Sequence, residues 1–295
     1  MPESMPKARP LVSVGMPVYN SAAFVAETLR SILGQSFADF ELIISDNDSD
    51  DGTSEICRDF ARADSRIRYW RQVGNIGCPR NYNAVLMMAR GTYFKWSSSN
   101  DICQPRFLEA CISVLKASPD AVLAYPRTLF FNSARGDANE YEDGVSLDQD
   151  DPVERYRACD QRLVRNNAIN GVIRTRELKS TTLHWDYKAS DMALMSELSL
   201  YGKFIKIPEL LFHRRMDPGS DSGSGSPELQ GKYFPHDRSG SQMRGWRKLH
   251  QMLTGVNRAP LTWRNRLRLY DYLAHRAWWN RGDLGWFGPP KSQSI

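Results

Sequence analysis

The 295-residue chain lacks the features of a disulfide-stabilised or membrane-spanning protein. Its five cysteines are odd in number and no two are spaced as C-x-x-C, which favours free thiols in a reducing compartment over a disulfide framework. No apolar run is long enough to span a bilayer, and residues 1–10 lack the apolar stretch of a signal peptide. We therefore expect a cytoplasmic protein, which could still lie on the inner face of a membrane.

The sequence also lacks the features of a nucleic-acid-binding protein. The net charge is only +5, and outside the C-terminal tail the basic residues form no sustained patch. The segment after the first predicted strand, at residues 17–20, is not the glycine-rich basic phosphate loop with which nucleotidyltransferases usually begin. We therefore expect no nucleic-acid partner and do not favour a nucleotidyltransferase.

Hydrophobic patterning in the first half of the chain alternates between strands and helices. Short apolar runs predict strands, and amphipathic segments between them predict helices. The predicted strands cover residues 11–15, 41–45, 67–70, 92–96 and 121–125. This alternation predicts an α/β fold, with a Rossmann-like and mainly parallel central sheet flanked by helices.

Individual residues predict where some of these helices begin and end. Asn20 or Ser21 is suited to cap the first helix, and Gly91 stands where the helix over residues 81–89 would end. The polar segment 132–151 predicts a surface loop or hairpin, and it ends in an Asp-Pro pair that is typical of a helix start.

The composition changes sharply after residue 217. Residues 219–227 are rich in glycine and serine and predict a flexible linker, and residues 228–295 predict a helical extension. The extension combines arginine and lysine with several tryptophans, a pattern that suits an anionic membrane surface. Packing of these helices on the main domain is the plain structural alternative, and we favour it.

A strand that ends in acidic residues is the most informative local feature. An apolar run at residues 40–44 leads directly into Asp46, Asn47, Asp48, Asp50 and Asp51. Carboxylates cannot join an apolar core without partners, so this segment marks the carboxyl end of a strand. Ligands of open α/β sheets bind at that edge.

Five segments follow one another along the chain: VSVGMPVYN, ELIISDNDSDDGT, NIGCPRN, the segment from Gly91 to Pro105, and ASDMALMSELSLYGKFIKIPELLFHRR. Their joint order resembles that of family 2 glycosyltransferases of the GT-A fold, of the bacterial surface-polysaccharide type. The resemblance covers residues 11–217. It implies a GT-A catalytic domain over residues 1–218, with a nucleotide-binding half at about 11–130 and an acceptor half at about 131–217.

The resemblance implies a nucleotide-sugar site in the first half. The residues that match its nucleoside-contacting positions are Pro17, Val18, Tyr19, Asn20, Asp46, Asn47 and Arg80. Many relatives have aspartate at the position of Asn47, and an amide can donate as well as accept, so base selectivity could differ. Capping of the following helix is the alternative for the acidic segment, and it suits Asp50 and Asp51 better than Asp46.

Most relatives carry a D-x-D motif that binds ribose and a divalent cation, and this chain does not. The matching segment reads Ser98, Ser99, Asn100 and Asp101, so both carboxylates are replaced. Mg²⁺ and Mn²⁺ prefer anionic oxygen ligands, and we expect weakened metal binding. Three outcomes stay open: Asp101 replaces the missing ligand; Asn100 binds a metal weakly with the help of the donor phosphates; or protein cations neutralise the diphosphate. His213 is a further candidate metal ligand. The candidate cations are Lys95, His213, Arg214 and Arg215.

Asp191 matches the acidic residue that precedes the acceptor-side helix in this family, where it is the general base. Capping of that helix is the compatible structural role, and Asp186 is the alternative base. His184 and Trp185 could line the acceptor pocket, because aromatic faces suit the C–H surfaces of sugars, or they could be core residues.

The resemblance thus implies an inverting transfer of a sugar from a nucleotide sugar, by default a UDP-sugar, to a hydroxyl of a glycan or lipid-linked acceptor. The loss of the D-x-D carboxylates leaves one rival from another class. That rival is a catalytically silent relative that binds a nucleotide or a glycan.

Overall fold

A nine-stranded sheet organises the protein in the computed structural model, which describes residues 9–142, 145–220, 233–235, 237 and 241–279. The strand order is β3-β2-β1-β4-β8-β6-β9-β5, and β7 pairs with β6. The strands are β1 (Val12–Val18), β2 (Phe40–Asp46), β3 (Ile67–Arg71), β4 (Tyr93–Trp96), β5 (Ile102–Cys103), β6 (Ala121–Asn132), β7 (Asp137–Tyr141), β8 (Val172–Arg174) and β9 (Lys203–Arg215).

The two halves of the sheet differ in strand direction. Strands β3, β2, β1 and β4 are parallel, as the strand–helix alternation predicts. Strand β8 is antiparallel to both β4 and β6, while β6 and β9 are parallel. Strands β1, β2 and β4 are buried on both faces, which explains their largely apolar sequences, whereas the edge strand β3 is partly exposed. The mainly parallel α/β fold predicted from the sequence is therefore confirmed.

Helices cover both faces of the sheet and continue beyond it. They are α1 (Val25–Leu33), α2 (Thr53–Ala63), α3 (Cys78–Met87), α4 (Phe107–Ala117), α5 (Pro152–Arg162), α6 (Thr175–Ser180), α7 (Ser190–Leu198), α8 (Ser241–Arg258) and α9 (Trp263–Trp279). Separate apolar clusters form on the two sides of the sheet, one under α1 and α4 and the other under α3 and α7.

The caps predicted for α1 and α3 are wrong, whereas the helix start predicted at Asp151 is confirmed. Helix α1 starts after Phe24 with no side-chain cap, and α3 ends at Met87 with Met88, rather than Gly91, at its C-terminal capping position. Gly91 instead lies against β1, where a Cβ atom would come within 2.6 Å of the backbone nitrogen of Ser13. Asp151 does cap α5, by accepting a hydrogen bond of 2.9 Å from the N–H of Val153. The glycine was therefore required for close packing of strands.

The two C-terminal helices pack on the main domain. A third apolar cluster joins α8 and α9 to α5 and α7 through residues such as Met252, Val256 and Leu269. The tryptophans of α9 do not take part, since Trp263 is 67% exposed and Trp279 is 80% exposed. None of the described helices is long and apolar enough to cross a membrane. The predicted linker at 219–227 lies almost entirely outside the described residues.

Candidate active site

A cavity of about 570 Å³ lies where several loops of the two halves meet. Its walls come from the start of α3, the loop after β4, the segments 164–170 and 184–192, and the end of β9. The predicted site residues that line it are Ser98, Asp101, His184 and Asp191, and Arg214 lines it as well. The structure thus brings together side chains that are more than 100 residues apart in the sequence.

Asp191 lies in the first turn of α7 and faces this cavity. Its Oδ2 atom accepts a hydrogen bond of 2.9 Å from Nδ2 of Asn166. The capping position of the helix belongs to Ala189, which has a φ of +68°, so the side chain of Asp191 is not used as a cap. The carboxylate is therefore oriented by an amide and still borders open space.

Arg214 and Arg215 are neighbours at the end of β9 but have opposite environments. Arg214 lines the cavity, and its Nη1 donates to Oδ1 of Asn167 over 2.6 Å. Arg215 is only 3% exposed and pairs with Glu27 and Asp217 at 2.5 and 3.3 Å. Of these two predicted cations, Arg214 is thus the one whose position suits a bound anion.

The loop after β4 is anchored to β9 rather than free. Asp101 accepts a hydrogen bond of 2.9 Å from the backbone N–H of Arg215, and the Arg215 guanidinium donates to the carbonyl of Asn100. The hydroxyl of Ser98 donates to Oδ1 of Asn100, whose Nδ2 has no partner among the described residues. Ser99 contacts the hydroxyl of Ser21, 2.6 Å away.

This loop does not form a metal centre with its neighbours. Asp101 and Asn100 supply one carboxylate and one amide, and the amide oxygen already accepts a hydrogen bond. His213 lies 3.2 Å from the side-chain nitrogen of Gln104 and does not line the described cavity. Within the described residues there is no group of three or more acidic, histidine or cysteine side chains suited to a metal. Among the described residues, this loop therefore supplies a single carboxylate, that of Asp101, and no metal centre is formed by protein side chains alone.

Lys95, the remaining predicted cation, is buried behind the site. Its Nζ donates to the carbonyl of Asn170 over 2.6 Å and lies 4.4 Å from the ring centroid of Phe107. The side chain is 1% exposed, so it supports the cavity wall from inside the core.

His184 belongs to an aromatic cluster beneath the cavity. Its ring centroid lies 5.4 Å from that of Tyr82 and 5.0 Å from that of Trp96. Burial lowers the pKa of His184 to about 4, although the negative charge of Asp191 opposes this shift. The imidazole is therefore neutral near pH 7, and its Nε2 has no hydrogen-bond partner among the described residues.

The alternative base, Asp186, is held in an ion pair. Its Oδ2 lies 3.0 Å from Nη2 of Arg80, which is 57% exposed on α3. Neither residue lines the described cavity. Trp185 packs edge-to-face on His250 of α8, with ring centroids 5.2 Å apart. The pair formed by Arg80 and Asp186 instead links α3 to the segment before α7.

The acidic strand end after β2 is largely occupied by its own hydrogen bonds. Asp46 accepts from the N–H of Ser49 over 2.9 Å, from the hydroxyl of Tyr69 over 2.7 Å, and from the hydroxyl of Ser54. Burial alone would raise the pKa of Asp46, but these hydrogen bonds outweigh it and lower the pKa. The carboxylate is therefore ionised and fixed.

Asn47 and Asn20 organise neighbouring loops. Asn47 donates to Oδ1 of Asn75 over 2.8 Å and accepts from the N–H of Ile76 over 2.9 Å. Asn20, at a φ of +46°, exchanges two hydrogen bonds with Asp50. Pro17 and Val18 end β1 beside them, and the ring of Tyr19 lies 6.4 Å from that of Tyr233. These residues form a corner that is separate from the lining of the described cavity.

Sequence reasoning missed Asn166 and Asn167, which hold the carboxylate of Asp191 and the guanidinium of Arg214. The signal was present, because residues 166, 167 and 170 are three asparagines within five positions of a loop. Asparagine in such loops often hydrogen-bonds locally, so the run alone did not indicate a site.

Comparison with known proteins finds glycosyltransferases among the relatives of this chain. GlyG, a glycosyltransferase of Streptococcus pneumoniae, is 30% identical over 132 residues, which are 44% of this chain and 42% of GlyG. TuaG of Bacillus subtilis, named for teichuronic acid biosynthesis, is 37% identical over 93 residues, which are 32% of this chain and 37% of TuaG. The chain thus spans less than half the length of these two relatives.

The fold is shared with a solved structure. The crystal structure of TarS residues 1–349 from S. aureus, in complex with UDP-GlcNAc, superposes with a TM-score of 0.67 at 16% identity, covering 90% of this chain and 72% of that one. The GT-A fold predicted from the sequence is therefore confirmed. Residues 13–182, more than half of the chain, match the family described as Glycosyl transferase family 2. The chain belongs to that family.

Proposed function

We propose that the protein is an inverting glycosyltransferase that moves a sugar from a nucleotide sugar to a hydroxyl of a glycan or lipid-linked acceptor. The observation that carries the proposal is the pairing of Asp191 with Asn166 in a cavity that also contains Arg214. A positioned carboxylate and a positioned guanidinium are the two groups that a single displacement at an anomeric carbon needs.

In this reaction the acceptor oxygen attacks the anomeric carbon as the bond from that carbon to the diphosphate oxygen breaks. Asp191 takes the proton of the acceptor hydroxyl while the new bond forms. The nucleoside diphosphate leaves with the electron pair of the broken bond, and Arg214 stabilises the charge that develops on it. Because one displacement occurs on the opposite face of the sugar, the product has the inverted anomeric configuration.

The donor proposed by default is a UDP-sugar. Support comes from the TarS structure, which shares the fold and is bound to UDP-GlcNAc. The corner formed by Pro17, Val18, Tyr19 and Asn20 with Asp46 and Asn47 is the proposed nucleoside site, and Arg80 is also assigned to the nucleotide on the basis of its motif. Asn47 presents an amide that is 3% exposed and already holds the loop at residues 75–76, so its role would combine contact with loop positioning.

No step of this reaction is assigned to a metal ion. The loop at Ser98–Asp101 has an amide where a second carboxylate would be needed, and the guanidinium of Arg214 takes the role of counter-charge. We expect turnover in excess EDTA to stay within about twofold of turnover in Mn²⁺. Loss of turnover in EDTA with recovery in Mn²⁺ would contradict this assignment.

A panel of nucleotide sugars tests the proposed function. The full chain is screened by thermal shift with and without Mn²⁺, and release of the nucleoside diphosphate is then followed with the donor that binds. NMR of the transferred sugar should show the inverted anomeric configuration. Binding of a donor without any turnover would support the catalytically silent alternative, and retention of configuration would refute the single displacement.

The outer face of α9 is the proposed contact with the membrane that carries a lipid-linked acceptor. Trp263 is 67% exposed and Leu267 is 54% exposed, and the guanidinium of Arg264 lies 5.5 Å from the ring centroid of Trp263. Exposed aromatic and aliphatic groups beside arginine match the chemistry of an anionic lipid surface.

Flotation with vesicles tests this contact. The full chain is expected to float with phosphatidylglycerol-containing vesicles and not with pure phosphatidylcholine, and the W263A/L267A variant should lose the binding. Trp70→Ala is the matched control, because Trp70 is 57% exposed on β3, outside the C-terminal helices. Absence of flotation of the native chain, or equal loss in the Trp70 variant, would contradict the proposal.

A further inference from the structure

The loop that leads into Asp191 contains backbone strain close to both of its ends. Leu183 has a φ of +61° and Ala189 a φ of +68°, although neither is glycine. Residues with side chains adopt this left-handed conformation at a cost in free energy, so surrounding contacts must hold them in place. Residues 183–190 are named here the acceptor loop.

One side of the acceptor loop is held by the nucleotide half of the protein. The side chain of Asn83 on α3 accepts a hydrogen bond of 3.1 Å from the N–H of His184 and donates one of 2.8 Å to its carbonyl. The ion pair between Arg80 and Asp186 adds a second link from the same helix.

The other side is held by the C-terminal extension, in which Asp237 accepts a hydrogen bond of 3.3 Å from the N–H of Lys188 and Gln251 makes three contacts. Gln251 on α8 is 1% exposed, and its Nε2 donates to the carbonyl of Leu183 over 3.0 Å and lies 3.4 Å from the carbonyl of Ser190. Its Oε1 accepts a hydrogen bond of 2.5 Å from the hydroxyl of Tyr187. A single amide thus contacts the start, the middle and the end of the acceptor loop.

Tyr187 is fixed at this junction by further contacts. It is 2% exposed, lines the cavity, and has the guanidinium of Arg247 of α8 5.4 Å from its ring centroid. Burial raises the pKa of the Tyr187 hydroxyl, so the hydroxyl stays protonated and can donate to Gln251. The extension therefore contacts a wall residue of the cavity directly.

We infer that Gln251 is a positioning residue for the reaction. It holds the strained acceptor loop closed on α8, and thereby sets the place and direction of Asp191, which follows Ser190 directly. The helical extension, which lies outside the matched family segment 13–182, then completes the active site rather than only stabilising the fold. The catalytic part of this inference rests on the proposed function, whereas the clamp itself does not.

Three variants of the full chain separate the bonds that Gln251 makes. Gln251→Met keeps the length of the side chain and removes all its hydrogen bonds. Gln251→Glu keeps an acceptor for Tyr187 but cannot donate to the carbonyls. Tyr187→Phe removes only the hydrogen bond from the Tyr187 hydroxyl to Oε1 of Gln251, and it is the mildest of the three changes. Thr254→Ala, one turn away on the same helix, is the control, because the Thr254 hydroxyl donates to the carbonyl of His250 within α8.

Hydrogen exchange measured by mass spectrometry reports on the clamp without any need for activity. We expect at least tenfold faster exchange over residues 183–190 in Gln251→Met, a smaller rise in Tyr187→Phe, and none in the control. With the donor found by the screen, kcat should fall about 10- to 100-fold in Gln251→Met while the donor KM stays within twofold, because misplaced catalytic groups cost rate rather than donor binding.

The outcomes separate the inference from the proposed function. Unchanged exchange over residues 183–190 in a folded Gln251→Met protein overturns the inference, whatever the activity. Faster exchange with unchanged kcat overturns the role in catalysis. If the native chain turns over no donor, the proposed function fails, and the exchange data still decide whether Gln251 holds the loop. If Gln251→Met does not fold, Tyr187→Phe decides by the same readouts.

Discussion

The acidic loop after β2 and the acceptor loop before α7 make opposite use of their polar groups. In the first, Asp46 accepts three hydrogen bonds and Asp50 exchanges two with Asn20. Around the acceptor loop, by contrast, Nε2 of His184 and Oδ1 of Asp186 are buried with no partner among the described residues. In the loop after β2 these polar groups stabilise the structure through hydrogen bonds, whereas around the acceptor loop some polar atoms are left without a partner among the described residues.

The difference teaches how to rank carboxylates in this protein. The loop after β2 is the most acidic segment in the sequence, yet its carboxylates stabilise turns and helix starts. Asp191 lies in α7 with one other acid, Glu197, and it borders a cavity beside an incompletely bonded amide, Asn166. Unpartnered polar atoms near a cavity are therefore a better guide to chemistry here than the number of acids.

The largest effect is expected for Asp191→Asn. Loss of the proposed general base should reduce the rate of transfer by about a thousandfold, with the melting temperature unchanged because Asp191 does not cap its helix. The rate is measured by release of the nucleoside diphosphate. Retention of more than a tenth of the activity would shift attention to Asp186, and Asp186→Asn would be the next variant.

Asp46→Asn is the matched test in the other loop, and it should affect stability. An amide cannot accept all the hydrogen bonds that the Asp46 carboxylate receives, so we expect the free energy of unfolding to fall by about 2 kcal/mol. Denaturant titration measures this change. An unaltered free energy of unfolding together with lost donor binding would reverse the comparison and assign Asp46 to the ligand.

Arg214 and Arg215 show the same contrast between a residue that borders the cavity and one that stabilises the fold. Arg215→Met removes one member of a buried ion-pair network and should cost about 3–5 kcal/mol of stability. Arg214→Met should leave stability nearly unchanged and lower kcat about a hundredfold, because it removes a cation from the leaving group. Equal melting temperatures for the two variants would show that burial does not separate their roles.

A smaller, pH-dependent effect is expected at Glu197, a third carboxylate, in α7. It accepts hydrogen bonds from Thr182, but burial outweighs them and raises its pKa to about 7. The fold therefore favours the protonated form, and its stabilising contribution is lost as pH rises from about 4.5 to 7. We expect Glu197→Gln to be more stable than the native chain at pH 8, by up to about 3 kcal/mol, and equal to it near pH 4.5.

Thermal melts across this pH range measure the Glu197 effect. A constant difference between variant and native protein from pH 4.5 to 8 would show that Glu197 does not titrate in this range. The carboxylates compared here would then be of two kinds, those that stabilise a loop, like Asp46, and those that border the cavity, like Asp191.

The sequence was sufficient for the parallel half of the sheet. Short, largely apolar segments alternate there with amphipathic helices, and each strand lies beside one predicted from the same pattern. It was less informative where contacts are distant. The local sequence predicts a helix cap at Gly91, because no residue near it in the sequence indicates that it packs against β1.

The site followed the same rule. Asp191 and Arg214 were recognised because they lie in motifs that resemble a known family. Asn166, Asn167 and Gln251 were not, because their roles depend on partners 25 to 68 residues away. A side chain that acts by orienting another leaves no pattern in the sequence around it.

The pair Asn166–Asn167 has a mechanical consequence. The carboxylate of Asp191 and the guanidinium of Arg214 are each fastened to one of two consecutive residues. Consecutive Cα atoms are held about 3.8 Å apart by the peptide bond, so the backbone positions of Asn166 and Asn167 stay together in any conformational change. A motion that opens the cavity to an acceptor would therefore move the Asp191 carboxylate and the Arg214 guanidinium together, as long as both hydrogen bonds persist.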